Sequence, residues 1–409
     1  MNVKITHGKL VGTVTVPPSK SVAHRMIIAA ALAKEKSVIT NLYPSVDILA
    51  TIDAMRALGA DIAFKNNTAV INGFKNIPEK ALVDCCESGS TMRFIIPIAC
   101  ALGVNATFIG RGKLPERPIT PFLEEFPKHG ITFDYHNTMP FSVCGKLTPG
   151  KFYISGSLSS QFITGLLLAL PILEGDSEII LTSKLNSKPY VDITVGCLRD
   201  FGCEITETEQ GYYIKGGQKL TPFSGAVEGD YSQSAFWEVA NVLGSDIDIQ
   251  GLNVNSFQGD KKIVEICREI VYNENGILSP FEIDCSDIPD LVPVLAVLAT
   301  FCNGKSRITN VARLRFKECD RLAAMTDCLN RVGGKVTAYD DSLEIEGVSS
   351  LKGGEIQSYN DHRIAMAMSV AATRCEQPLT VLGAECVRKS YPDFWEVYRS
   401  LDGIAEVTD

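Results

Sequence analysis

Several cations in this chain stand where an isolated helix disfavours them. Lys20 with Arg25, Arg93, and Arg363 fall near the starts of the apolar segments SKSVAHRMIIAAALA, SGSTMRFIIPIACALG and NDHRIAMAMSVAATR. A cation at a helix N-terminus opposes the helix dipole. The placement becomes favourable when the helix start and the cation hold one anion between them. Six such starts carry small or polar residues: Ser19-Lys20-Ser21, Ser88-Gly89-Ser90, Ser159-Ser160-Gln161, Asp230 to Ser234, Asp287 to Asp290, and Asn360-Asp361-His362-Arg363. Helix capping accounts for the serines, aspartates and asparagine. It does not account for the cations, so anion binding is the reading they favour. Lys317-Glu318-Cys319-Asp320-Arg321 and Glu116-Arg117-Pro118 are charge-dense and precede helices in equivalent places. A charge run is ordinarily a solvated face, and the interest of these two lies in that equivalence.

Other chemistries find little support. Gly304-Lys305-Ser306 looks like the end of a phosphate loop, but Ala299 stands where its first Gly is required. There is no GxGxxG after a strand, no GxSxG and no HExxH. The five histidines (7, 24, 129, 136, 362) lack metal-ligand spacing, so neither a metal nor a cofactor is expected. His24, four residues after Lys20, is read as satisfied locally rather than catalytic. A formal charge of −9 argues against a nucleic-acid partner, yet a local basic pocket can still collect small anions. Thirteen cysteines without CxxC spacing fit reduced thiols, and Met1–Gly12 has no signal or transit pattern, so the cytoplasm is expected. The longest apolar stretches, Phe162–Leu173 and Ile288–Cys302, are too short for a membrane span.

The elements that must position these residues repeat. Segments starting at Val38, Thr107, Ile179, Ile247, Arg307 and Leu379 lie 60 to 72 residues apart. Those at Val38, Ile179 and Arg307 show a β-rich run, a polar loop, an amphipathic helix ending at Gly and a closing strand pair; the other three are weaker copies. A second helix, apolar nearly all round and so expected to be buried, precedes each start. The pattern predicts an α/β (α+β) fold of six βαβαββ units, with buried helices inside and sheets outside.

Nine motifs now identify a family. PPSKSVAHR (17–25), SGSTMR (88–93), LPERPI (114–119), SGSLSSQF (155–162), SKPYVDIT (187–194), DIPD (287–290), RFKECDRL (315–322), NDHRIAMA (360–367) and RKSYPDF (388–394) resemble, in order, the signatures of the 5-enolpyruvylshikimate-3-phosphate synthases. The resemblance implies two three-repeat domains, 13–226 and 1–12 with 227–409. It implies transfer of the enolpyruvyl group of phosphoenolpyruvate to the 5-hydroxyl of shikimate 3-phosphate, with release of phosphate. Lys20, Ser21, Arg25, Ser159, Ser160, Gln161, Ser187, Asp290 and Lys317 would then hold shikimate 3-phosphate. Lys20, Gly89, Arg117, Gln161, Arg321, Arg363 and Lys389 would hold phosphoenolpyruvate. Arg suits such groups because its planar fork binds phosphate and carboxylate bidentately. Asp290 would be the base for the hydroxyl and Glu318 the acid that protonates the methylene carbon. Lys20 would share proton transfer or stabilise developing phosphate charge. Asp320 is expected to orient Arg321.

The chain also departs from common family forms. Glu87 stands where many members have Asn, and Arg313 where an Asn often binds the shikimate phosphate. The nearest alternative is the sister enzyme acting on UDP-N-acetylglucosamine, which normally carries a reactive Cys on the second-repeat loop; here that loop reads GRGKLPERPI. A non-catalytic anion-binding protein of the same fold is the other alternative. A monomer is expected, with two domains drawn together by both substrates.

Overall fold

The computed structural model describes residues 1–270 and 277–408. The chain divides into two compact units, Pro18–Glu228 and Met1–Pro17 with Gly229–Asp409.

The unit Pro18–Glu228 carries helices α1 (Lys20–Leu32), α2 (Val46–Ala57), α3 (Gly89–Leu102), α4 (Thr120–Glu125), α5 (Ser160–Ala169) and α6 (Lys188–Asp200). In α1 every residue from Ala23 to Leu32 is buried, as the all-round apolar sequence requires. The same holds for most of α3 and α5, which pack on each other. Ser19, Ser88 and Ser159 cap these three helices by accepting a backbone N–H of the first turn. Gly103, at φ 74, closes α3 in the left-handed region that a side chain disfavours.

Three four-stranded sheets cover these helices. Lys80–Asp84, α3 and Asn105–Ile109 form a parallel crossover, followed by α4 and an antiparallel hairpin on the same sheet. Lys151–Ile154, α5 and Ser177–Leu181 repeat it. The first sheet has the same order with one change. Its edge strand is Ser224–Ala226, which pairs in parallel with Ser37–Thr40.

The second unit carries α7 (Tyr231–Val242), α8 (Lys262–Glu269), α9 (Val292–Thr300), α10 (Arg321–Arg331), α11 (His362–Ala372) and α12 (Phe394–Ser400). Here α7, α9 and α11 are the buried helices and pack mutually. Val11–Thr15, the strand before α1 in sequence, pairs with Asp246–Gln250 of this unit. Asn2–Thr6 lies between Leu379–Leu382 and Ile404–Thr408, completing the last sheet.

Six βαβαββ units are therefore recognisable, with one exception to the expected pattern. Among the described residues the fourth unit has only the two-stranded sheet Val11–Thr15 with Asp246–Gln250 and no hairpin.

Candidate active site

In the unit Pro18–Glu228 the starts of α3 and α5 and the loop before α4 bring their polar groups together. Arg93, one turn into α3, donates from Nη1 to Gln161 Oε1 at 2.6 Å and from Nη2 to Pro118 O at 3.1 Å. Gln161, at the start of α5, donates from Nε2 to Ser90 Oγ at 2.9 Å. Gly89 is lodged among them. A methyl group at its Cα would lie 2.6 Å from Arg117 Nη1, 3.4 Å from Arg93 Nη1 and 3.6 Å from Gln161 Oε1. Any side chain there would crowd the Arg117 guanidinium, whereas Arg93 lies at ordinary contact distance. Arg93 and Arg117 are both buried, and the Phe162 ring supports Arg93 at 5.0 Å. The predicted residues Gly89, Arg117 and Gln161 thus stand in one cluster, and Arg93 joins them.

Lys20 and Arg25 leave α1 in different directions. Lys20 Nζ donates to Asp47 Oδ2 at 2.9 Å, in the first turn of α2. Arg25 turns inward and ties three helices. It donates to Ser21 O (2.6 Å), Thr194 Oγ1 (2.7 Å), Tyr190 O (2.8 Å) and Thr164 Oγ1 (3.3 Å). Burial lowers its guanidinium to about 10. Ser159 caps α5, Ser160 is buried beside it, and Ser187 holds the left-handed backbone (φ 58) that starts α6.

In the second unit the predicted residues form a partly buried ionic knot. Arg321, at the start of α10, donates from Nε to Asp361 Oδ2 (2.7 Å), from Nη1 to Asp290 Oδ1 (2.9 Å) and from Nη2 to Glu318 Oε2 (2.8 Å). Arg363, at the start of α11, donates to Asp290 Oδ2 at 3.0 Å and to Asp290 O at 3.1 Å. Lys317 Nζ lies 3.6 Å from Asp290 Oδ1. Lys389 Nζ donates to Asn360 O at 2.6 Å, one residue before the Asp361 cap. Burial alone would raise the Asp290 carboxyl. Arg363, Lys317 and Arg321 outweigh it and hold the group well below the usual carboxylate range. Burial would likewise lower Arg321, but Asp361, Glu318 and Asp290 keep it well above its ordinary value. For Lys317 burial prevails and the ammonium is lowered. Asp320 caps α10 and accepts from Arg315 at 2.8 Å; the expectation that it orients Arg321 is replaced by Glu318, Asp290 and Asp361 in that role.

Three carboxylates matter here that sequence reasoning passed over. Asp47 is an ordinary acid in a first helical turn, where the dipole favours it, so nothing marks it out. Asp361 reads as a cap, yet it caps α11 and clamps Arg321 together. Asp260, in the charged run Gly259-Asp260-Lys261-Lys262, reads as solvated but is buried and accepts from Ser232 Oγ. Burial and the Asp290 charge push it up to about 7. A thiol does reach the second-repeat loop, from Cys86: Arg111 Nη2 lies 3.3 Å from its Sγ. Burial nevertheless raises this thiol, despite Arg111.

This arrangement was compared with known proteins. The family model of EPSP synthase (3-phosphoshikimate 1-carboxyvinyltransferase) matches residues 5–398. The 3-phosphoshikimate 1-carboxyvinyltransferase of Clostridium kluyveri is 47% identical over 98% of this chain and 97% of its own. That of Clostridium novyi is 43% identical over 99% and 98%. Among solved structures, an EPSP synthase from Acinetobacter baumannii superposes with a TM-score of 0.83 at 27% identity over the full length of both chains. The enolpyruvyl transferase NikO from Streptomyces tendae, at 18% identity and a TM-score of 0.80, covers 100% of this chain and 98% of its own and shares the fold. Among the described residues no helix is long and apolar enough to cross a membrane.

Proposed function

The chain belongs to the EPSP synthase family, and from that premise we propose how its own residues serve the reaction. The enzyme transfers the enolpyruvyl group of phosphoenolpyruvate to the 5-hydroxyl of shikimate 3-phosphate and releases phosphate, a step of the shikimate pathway to aromatic amino acids. Lys20, Gly89, Arg117, Gln161, Arg321, Arg363 and Lys389 bind phosphoenolpyruvate. Lys20, Ser21, Arg25, Ser159, Ser160, Gln161, Ser187, Asp290 and Lys317 bind shikimate 3-phosphate. The observation that carries this reading is the lodging of Gly89 against Arg117 and Arg93 at a helix start. A helix start and two guanidinium forks at one point are what an anionic group requires.

Glu318 gives a proton to the methylene carbon of phosphoenolpyruvate, which makes the central carbon electrophilic. Asp290 takes the proton of the 5-hydroxyl as its oxygen bonds to that carbon. In the second step Glu318, left as a carboxylate, takes a proton back from the new methyl group, the carbon–oxygen bond to phosphate breaks, and phosphate departs with the proton that Asp290 took from the hydroxyl. Lys20 stabilises the charge that gathers on the leaving phosphate. Asp290, held by three cations, is a weak base before substrate arrives. Anionic groups of phosphoenolpyruvate compete with it for Arg321 and Arg363, so binding raises its proton affinity when a base is needed. Arg25 acts on the shikimate 3-phosphate side by exchanging one of its internal acceptors for the ligand.

The reading on UDP-N-acetylglucosamine is disfavoured by the raised Cys86 thiol, the cysteine nearest the loop where that chemistry keeps a reactive one. We further propose a cytoplasmic monomer; thirteen thiols, none in a disulfide, support a reducing compartment. The deciding experiment is phosphate release with purified protein. It should require both phosphoenolpyruvate and shikimate 3-phosphate and proceed with chelator present. Release with UDP-N-acetylglucosamine in place of shikimate 3-phosphate would overturn the assignment.

A further inference from the structure

Behind the starts of α1, α2 and α3 runs a closed line of polar groups. His24 Nδ1 lies 2.7 Å from Thr51 Oγ1, and Thr51 Oγ1 lies 2.7 Å from Thr91 Oγ1. Thr91 Oγ1 lies 2.8 Å from Ser88 Oγ, which also accepts the Thr91 backbone N–H at 3.1 Å. All four residues are at most 1% exposed. The other ring nitrogen, His24 Nε2, is buried and has no hydrogen-bond partner.

Hydrogen counting gives this line a direction. Each hydroxyl has one proton, and the neutral imidazole has one N–H. If Nδ1 bears the proton, His24 donates to Thr51, Thr51 to Thr91 and Thr91 to Ser88, and Nε2 buries only a lone pair. In the reverse direction Nε2 must bear the proton and bury an N–H with no acceptor. Orphaned buried N–H groups are the rarer and costlier case. The ring is also held neutral: burial first, then Lys20 and Arg25, keep His24 well below the ordinary histidine range.

We infer that His24 is a positioning residue for phosphoenolpyruvate binding, acting through this one-way chain of hydrogen bonds on the Ser88-Gly89-Ser90 start of α3. The inference rests on the reading that Lys20 and Gly89 hold phosphoenolpyruvate. The chain crosses α2 at Thr51, and the first turn of α2 also supplies Asp47, the partner of Lys20 Nζ. The Asp47 carbonyl lies 3.5 Å from Thr91 Oγ1. Lys20 and the Gly89 backbone are thus registered against each other through α2. Neither His24 nor Thr51 touches the ligand.

Thr51→Val keeps the shape of the side chain and removes the hydroxyl; Thr51→Ser keeps the hydroxyl. Steady-state kinetics of the full chain should show Thr51→Val raising KM for phosphoenolpyruvate roughly two- to tenfold, the range of one lost hydrogen bond. KM for shikimate 3-phosphate should stay unchanged, and Thr51→Ser should restore the wild-type value. Nitrogen-15 NMR should find the His24 proton on Nδ1. Unchanged phosphoenolpyruvate KM in Thr51→Val, while Gly89→Ala raises it, would overturn the inference and leave the site reading standing. An unchanged KM in Gly89→Ala as well would remove both. Equal rises for the two substrates, a lowered Tm with no kinetic change, or a proton on Nε2 would each overturn the chain as drawn.

Discussion

In the unit Pro18–Glu228, Arg25 donates only to hydroxyls and carbonyls, and Arg93 donates to the Gln161 amide and the Pro118 carbonyl. In the second unit Arg321 donates to three carboxylates, and Arg363 donates to the carboxylate and the backbone carbonyl of one of them, Asp290. Neutral acceptors orient a guanidinium and leave its charge in place. Carboxylates orient it and cancel the charge nearby. Lys20 meets the Asp47 carboxylate, while Arg25 is held by neutral oxygens. Arg321, Arg363 and Lys317 are matched by Asp290, Glu318 and Asp361. On the proposed reading, the first cluster attracts an anion and the second exchanges one: an incoming carboxylate or phosphate would replace carboxylates of the protein and free them for proton transfer.

The strongest way to break this comparison is Glu318→Gln. Gln keeps an oxygen for Arg321 and cannot give or take the proton. Turnover should fall by about 10²- to 10⁴-fold, the span of general acid–base catalysis, with substrate binding retained. A near-normal rate in a stopped assay would remove Glu318 from proton transfer.

Asp290→Asn should lower turnover by about 10²-fold while leaving phosphoenolpyruvate affinity equal or tighter, since the competitor for Arg321 and Arg363 has lost its charge. Calorimetric titration showing markedly weaker binding would mean that the knot does not exchange anions. The same variant bears on stability. The native carboxyl lies below its unfolded value of about 3.9, so its contribution is present above that pH and is lost as pH falls through the depressed native value. Asn should remove that part of the acid unfolding transition.

Gly89→Ala sharpens the other half of the comparison. Its methyl would press on the flexible end of Arg117, so the fold should persist while KM for phosphoenolpyruvate rises about tenfold, or about 1.4 kcal/mol. Unchanged KM would place the anion elsewhere.

The smallest effect concerns Asp260. Its native value of about 7 exceeds the unfolded one of about 3.9, so the folded state binds the extra proton and is favoured at low pH. That stability declines as pH climbs from about 4 towards 7. Asp260→Asn should raise Tm at pH 8 by about 2–4 °C and change little at pH 4, as differential scanning calorimetry can record. An equal shift at both values would show that Asp260 is not a strained acid.

Much of the site was legible because cations at the starts of apolar helices are anomalous in any fold. Lys20, Arg93 and Arg363 could be singled out on dipole grounds alone. Their partners could not. Asp47 obeys every local rule, Asp361 doubles a cap with a clamp, and Asp260 hides in a charge run. Each lies 27 or more positions from the group it meets, and local pattern carries no information over that distance. Ser88, Thr51 and Thr91 likewise read as a cap and two helical threonines; His24 gives them a direction only once three helices are packed.

The sequence by itself determined the six helix pairs, the burial of one helix in each and the family. All of these follow from periodicity, capping and ordered motifs. Tertiary structure alone decided how the charges are matched. It turned Arg25 inward, set Asp290 between three cations, and completed the first sheet with Ser224–Ala226 and the last with Asn2–Thr6. The physical reason is that dipoles and propensities act within a few residues, whereas a charge takes its partner and its proton affinity from whatever the packed fold brings beside it.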